Sequence, residues 1–101
     1  MFNKIRISLK DFLNKDYSHN PEDAERLVKH ILDNKSENKD VELDFKGIKT
    51  VNTAFCNVIY ESFKNRNNEY KVRLINCNSL IKETFFRVRD NYDNRKDSND
   101  L

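Results

Sequence analysis

The chain is poor in the residues that turn a backbone sharply, since its 101 residues include one glycine and one proline. This scarcity argues against a low-complexity segment and against an all-β fold with many tight turns. A run of about 18 apolar residues is also missing, so the sequence predicts no membrane-spanning helix. The sequence shows no export signal, and we therefore expect a cytoplasmic protein.

Cysteine is scarce too, with Cys56 and Cys77 as the two thiols. No CxxC pair and no Cys/His cluster supplies ligands at the spacing that zinc requires. The sequence therefore predicts no metal site. In a reducing cytoplasm both thiols are expected to be reduced and structural.

Charge of one sign does not dominate, because nineteen basic and seventeen acidic residues leave a net charge of +2. Nucleic-acid binding usually needs a one-sided basic patch. The nearest approach to such a patch is Arg87, Arg89, Arg95 and Lys96, and aspartates interrupt it. The sequence argues against nucleic acid as the main partner, and a small nucleic-acid-binding protein stays the third alternative.

Alternating polar and apolar residues predict three short strands. They fall at residues 3–8, 41–46 and 70–76. Gly47 ends the second pattern, as expected where the backbone needs a positive φ.

Apolar residues at helical spacing predict a helix after each strand. Asn20 is the expected N-cap of the first helix, with Pro21 at its first position. Asn52 or Thr53 caps the second helix, and Ser79 is expected to cap the third. Strands that alternate with helices in this way pair in parallel through right-handed crossovers.

These patterns together predict a single small α/β domain in β-α-β-α-β-α order. The sheet is expected to be mostly parallel, with helices packed mainly on one face because the strands alternate rather than run continuously apolar. The domain is expected to cover residues 1–92. Residues 93–101 are polar and lack periodicity, so we expect a disordered tail.

Three stretches of the chain resemble a known family. Residues 41–48 place Asp-Phe before a glycine and an apolar residue, residues 51–55 form a small-residue loop that ends in Phe, and residues 18–24 form a Ser-containing helix entry. Residues 72–92 follow in matching order. On these stretches the chain resembles STAS-like domains, which are related to the anti-sigma-factor antagonists. The resemblance implies a sheet with helices on one side, no cofactor and a role in binding another protein.

The resemblance also implies where a partner binds. In the antagonists, the loop after the central strand docks on a serine kinase that is also an anti-sigma factor, and phosphorylation of a serine there abolishes docking. Their loop reads Asp-Ser-Ser-Gly. Thr53 matches its first serine and Ala54 replaces the modified one, although a shift of one residue would change this match. Thr53 is therefore the candidate phosphoacceptor.

Other residues have the chemistry for catalysis but lack partners in the sequence. Asp44 has no neighbouring carboxylate, His19 and His30 belong to no triad, and Cys56 lies in no catalytic motif. The chain is therefore predicted not to be an enzyme. The predicted partner-binding residues are Gly47, Asn52, Thr53, Ala54, Asn57, Phe86 and Arg87. The last two lie where an exposed aromatic and an arginine favour protein contact.

The leading hypothesis is a regulatory module that docks on a partner protein through the loop and helix start after the central strand. The partner is expected to be a regulatory kinase, an ATPase or a host protein, with no membrane association. The alternative is a phage or mobile-element inhibitor that binds a host protein.

Overall fold

The computed structural model describes residues 4–33, 40–64 and 70–99, with the backbone alone described for Lys4 and for residues 92–99. The predicted alternation of strands and helices is confirmed, with three short elements added. In chain order the elements are β1 (Lys4–Ser8), α1 (Leu9–Leu13), β2 (Tyr17–Ser18), α2 (Pro21–Asp33), β3 (Asp40–Asp44), β4 (Thr50–Val51), α3 (Thr53–Lys64), β5 (Lys71–Ile75) and α4 (Ser79–Asn99).

The main sheet has three parallel strands in the order β1-β3-β5, as the alternating pattern predicts. Ile7, Leu43 and Leu74 stand side by side in the register of the three strands. A second small sheet pairs β2 with β4, also in parallel. This second sheet joins the entry of α2 to the entry of α3, two places that lie far apart in the sequence.

The core lies on the face of the main sheet that carries the alternating apolar side chains. Val41 and Leu43 of β3 are fully buried there, together with Phe55 of α3 and Ile81 of α4. Burial of such side chains stabilises the fold by about 2 kcal/mol each.

The opposite face of the sheet carries charged side chains in rows across the strands. Arg6 of β1 contacts Glu42 of β3 at 3.1 Å, and Arg73 of β5 lies 3.7 Å from Asp40. The central strand is thus acidic on this face and both flanking strands are basic. These contacts allow a polar face on a sheet whose other face forms the core.

The three long helices each begin after an asparagine whose side chain accepts a backbone hydrogen bond. Asn20 Oδ1 accepts from Glu22 N at 2.9 Å, which confirms the predicted cap of α2. Asn52 rather than Thr53 caps α3. The expectation that Ser79 caps α4 is wrong, because Asn78 Oδ1 accepts from Ile81 N at 2.8 Å and Ser79 is already the first residue of the helix.

The last helix is longer than the sequence predicts. Phe85 and Val88 of α4 are buried as expected. The backbone then stays helical to Asn99, which differs from the disordered tail expected over 93–101. The domain boundary at residue 92 stays a prediction, and residues 100–101 lie outside the described part. Across the described ranges, no helix combines the length and apolarity needed to cross a membrane.

Candidate docking surface

The turn after β3 is held by the carboxylate of Asp44. Asp44 Oδ1 accepts one hydrogen bond from Asn76 Nδ2 and one from the backbone N of Lys46, both at 2.9 Å. The bond from Asn76 and then that from Lys46 lower the pKa of Asp44 below its ordinary value. Asn76 itself has a φ of +57°, a left-handed conformation that asparagine tolerates better than most residues. Asp44 therefore joins the ends of β3 and β5.

Gly47 follows in a conformation that favours glycine. Its φ is +85°, and a Cβ placed there would lie 2.8 Å from Cδ of Lys10. Any larger side chain would be strained by the backbone and would have to displace the lysine. The prediction of a positive φ at this position is confirmed.

The chain after Gly47 is tied to its surroundings on both sides. Lys49 N donates to the carbonyl of Asp16 at 2.7 Å. Asn78 Nδ2 donates to the carbonyls of Lys49 at 2.9 Å and Ile48 at 3.3 Å. The side chain that caps α4 therefore also holds the loop that leads to α3.

Asn52 has a similar double role at the start of α3. Its Oδ1 accepts from Phe55 N at 2.9 Å, and its Nδ2 donates to the carbonyl of His19 at 2.9 Å. Its backbone N donates to the carbonyl of Ser18 at 3.1 Å. Asn52 thus caps one helix and fixes the loop before another.

Thr53, Ala54 and Asn57 lie on the first turns of α3. Thr53 is exposed, whereas Ala54 and Asn57 are half-buried. Since Asn52 caps the helix, capping does not account for Thr53. Its hydroxyl lies at a helix N-terminus, where the backbone dipoles favour an anion such as phosphate. The role of Thr53 as a phosphoacceptor stays a prediction.

The buried carboxylate of Asp23 holds Ser18, the residue whose carbonyl accepts the hydrogen bond from Asn52 N. The hydroxyl of Ser18 donates to Asp23 Oδ2 at 2.9 Å. Lys15 Nζ lies 2.7 Å from the same oxygen, and Arg26 Nη2 donates to Oδ1 at 3.0 Å. Burial alone would raise the pKa of Asp23, but these hydrogen bonds outweigh it, so the pKa lies below its ordinary value.

Asp23 lies in the first turn of α2, where the helix dipole favours a carboxylate even without a buried role. The sequence feature that could have identified Asp23 as a buried residue is its position at the margin of the apolar stripe of α2. It lies beside Ala24 and four residues before Leu27. A carboxylate there needs polar or charged partners, and two of them, Lys15 and Ser18, precede the helix. Their approach depends on how the chain folds back before α2.

Phe86 and Arg87 lie farther along α4. Phe86 is 53% exposed, as its place beside buried Phe85 predicts. The guanidinium of Arg89 lies 5.0 Å from the centre of its ring, and Arg87 Nη2 lies 3.0 Å from Glu83 Oε1. At 1.5 Å per residue these side chains stand about 10 Å along the helix from its start. The predicted site is therefore one continuous segment, residues 47–57, and a second patch on α4.

The two cysteines and His30, whose chemistry could serve catalysis, are packed against other residues of the domain. Burial, and to a smaller extent the charge of Cys77, raises the pKa of Cys56 to about 12, so this thiol stays protonated near neutral pH. Burial also raises the pKa of Cys77. The ring of His30 packs 5.3 Å from that of Phe12. Within the described ranges, no group of three or more His, Cys, Asp or Glu side chains is arranged to hold a metal ion.

Comparison with known proteins identifies a matching family. The model of the family described as "STAS-like domain of unknown function (DUF4325)" matches residues 23–82, more than half of the chain. The matched stretch begins in α2, contains the whole segment 47–57 and ends in α4. No curated protein and no solved structure matches the chain.

Proposed function

The chain belongs to this family of STAS-like domains, and on that basis we propose that it is a regulatory module that docks reversibly on a partner protein and catalyses no reaction itself. The docking segment is residues 47–57, from the turn after β3 to the first turns of α3. The observation that carries the proposal is the way the side chains of Asn52 and Asn78 fix this segment to two neighbouring parts of the fold, the loop before α2 and the start of α4.

A fixed segment suits docking because less conformational entropy is lost on binding. Asn52 ties the segment to the loop before α2, and Asn78 ties it to the start of α4. The polar groups that remain exposed, Thr53 among them, are therefore presented in a set geometry. Such a surface favours one partner through directional hydrogen bonds rather than through area alone.

The charges around the segment favour a protein partner. Asp16 pairs with Lys49 at 3.3 Å, and Asp44 lies beside Lys46 in the turn. A phosphate backbone would meet these carboxylates as well as the lysines. We propose a regulatory kinase, an ATPase or a host protein as the partner class, and the alternative is a phage or mobile-element inhibitor that binds a host protein.

Thr53 provides a means of switching the interaction. A phosphate there would add nearly two negative charges to the docking segment. The helix N-terminus would accept this charge without loss of fold, because its backbone dipoles favour anions. Phosphorylation at Thr53 is thus expected to change binding rather than stability.

The test compares recovery of partner proteins from native lysate by the unaltered chain, by Thr53→Glu and by Asn91→Glu. Asn91 is exposed on α4 and gives the same change in charge outside segment 47–57. We expect Thr53→Glu to lose a partner that Asn91→Glu retains, with both variants melting close to the unaltered chain. If Thr53→Glu recovers the same partner in the same amount, the proposed segment is not the docking site.

A further inference from the structure

A surface groove of about 440 Å³ lies between β5, the second half of α3 and one residue of α4. We call it the edge groove. Most of its lining is apolar or aromatic, contributed by Tyr60, Phe63, Tyr70, Val72, Leu74 and Phe85. Val72 and Leu74 are half-buried, so part of their apolar surface is open to an occupant.

The edge groove runs beside a free strand edge. Among the described strands, β5 has β3 as its one neighbour. The carbonyl of Ile75 accepts from Phe45 N, which turns the backbone polar groups of Ile75 toward β3. Since successive residues of a strand direct these groups to opposite sides, those of Val72 and Leu74 point to the free edge. The same two residues line the groove with their side chains, so an added strand would place alternate side chains in it.

The charge beside this edge selects the occupant. Lys71 and Arg73 lie on the other face of β5, where the remaining side chains of an added strand would point. Among the described residues that line the groove, Lys64 and Lys71 are charged and none is acidic. Two copies of β5 paired edge to edge would place Lys71 and Arg73 against the same residues of the other copy, and like charges opposite each other are destabilising. An acidic segment has the complementary charge.

We propose that the edge groove binds an extended segment of a partner protein in which apolar and acidic residues alternate. The segment adds to β5 as a fourth strand. Its apolar side chains enter the groove, and its acidic side chains meet Lys71 and Arg73. This site is separate from residues 47–57, so either proposal can fail without the other.

The first experiment uses a synthetic peptide, acetyl-Glu-Val-Asp-Val-Glu-Val-Asp-amide, titrated into the full chain labelled with ¹⁵N. We expect the largest amide shifts at Val72 and Leu74, and slower hydrogen exchange of these two amides. Two further peptides carry N-methyl groups at alternate positions. Strand addition predicts that one of them loses binding, because its N–H groups would face β5, and that the other keeps it. Equal binding of both, or shifts confined to other residues, would overturn the proposal.

The second experiment tests the charge. The variant Lys71→Gln/Arg73→Gln should bind the peptide roughly fivefold to tenfold more weakly, because two exposed charge contacts are removed. The control Lys29→Gln/Arg89→Gln also removes one lysine, one arginine and one surface ion pair, and should bind as the unaltered chain does. Equal loss in both variants, or equal affinity for a peptide with lysine in place of each acid, would count against an acidic partner. If the chain dimerised through β5, or bound single-stranded nucleic acid more tightly at these residues, that occupant would replace the acidic partner segment in the proposal.

Discussion

The carboxyl end of the sheet and the edge groove are held together in different ways. At the carboxyl end, side-chain amides of Asn52, Asn76 and Asn78 hydrogen-bond to groups in neighbouring loops at 2.9 Å. Beside the edge groove, aromatic rings do most of the packing, with Phe63 and Tyr70 in edge-to-face contact at 5.8 Å between ring centres.

The difference matters because hydrogen bonds are directional and apolar contacts are not. The asparagines set the positions of exposed groups in segment 47–57, which favours a partner of defined shape. The edge groove offers apolar area and a row of backbone groups, which favours any extended chain of suitable pattern. The stability of the first region is therefore expected to depend on single polar side chains. That of the second region is expected to depend on buried volume.

The largest effect is expected from Phe63, beside the edge groove. Phe63→Ala removes a ring that is 7% exposed and should lower the free energy of unfolding by about 3 kcal/mol or more. Phe86→Ala is the matched control, because the same atoms are removed from a ring that is 53% exposed, and it should change stability by less than about 0.5 kcal/mol. Urea unfolding measures both, and similar losses would show that buried volume does not distinguish the two positions.

The next effect is expected from Asp23, which supports the carboxyl end. Asp23→Ala should cost about 2 kcal/mol, because it leaves the buried hydroxyl of Ser18 without its carboxylate partner and removes two ion pairs. Urea unfolding at neutral pH gives the value. A loss below that of an exposed carboxylate such as Glu25→Ala would contradict the structural role.

The stability of the fold at low pH gives an independent test of the role of Asp23. Its pKa is lowered in the folded chain, so its contribution is complete above the ordinary value of 3.8 and is lost as pH falls below that value toward the folded pKa. Asp23→Asn should therefore lose less stability than the unaltered chain does between neutral pH and this acid range. Asp44 contributes in the same direction, so part of the acid loss should remain.

The smallest of the three effects separates two neighbouring residues. Asn52→Ala removes the cap of α3 and the bond to His19, and should cost about 1–2 kcal/mol in thermal or urea unfolding. Thr53→Ala should stay within about 0.5 kcal/mol, because Thr53 is exposed and is not the cap. Equal losses would mean that the threonine shares the structural role of the asparagine and is less free to act as a switch.

Periodicity predicted most of the fold because it depends on short-range spacing. Val41 and Leu43 alternate with polar neighbours, and both are fully buried in β3. The helix starts were harder to predict. Asn20 was identified because Pro21 follows it, whereas Asn78 and Ser79 are both good capping residues and the sequence does not show which side chain reaches the backbone.

The candidate site was predicted only in part. Residues 47–57 were identified from a resemblance, and their order along the chain already made them neighbours. The cross-links that fix them were not predictable, because His19 and Asn52 are 33 residues apart and meet only when β2 pairs with β4. Strands of two residues, such as β2 and β4, carry too little pattern to be recognised in a sequence.

The sequence by itself determined the alternation of strands and helices, the parallel sheet and the separation of apolar from charged faces, since each follows from residue spacing and the hydrophobic effect. Only the tertiary structure decided that Asp23 is a buried support, that Asn52 and Asn78 each hold two elements together, and that β5 presents a free edge beside a groove. These features depend on contacts between residues distant in the chain, and their geometry exists only once the backbone has folded.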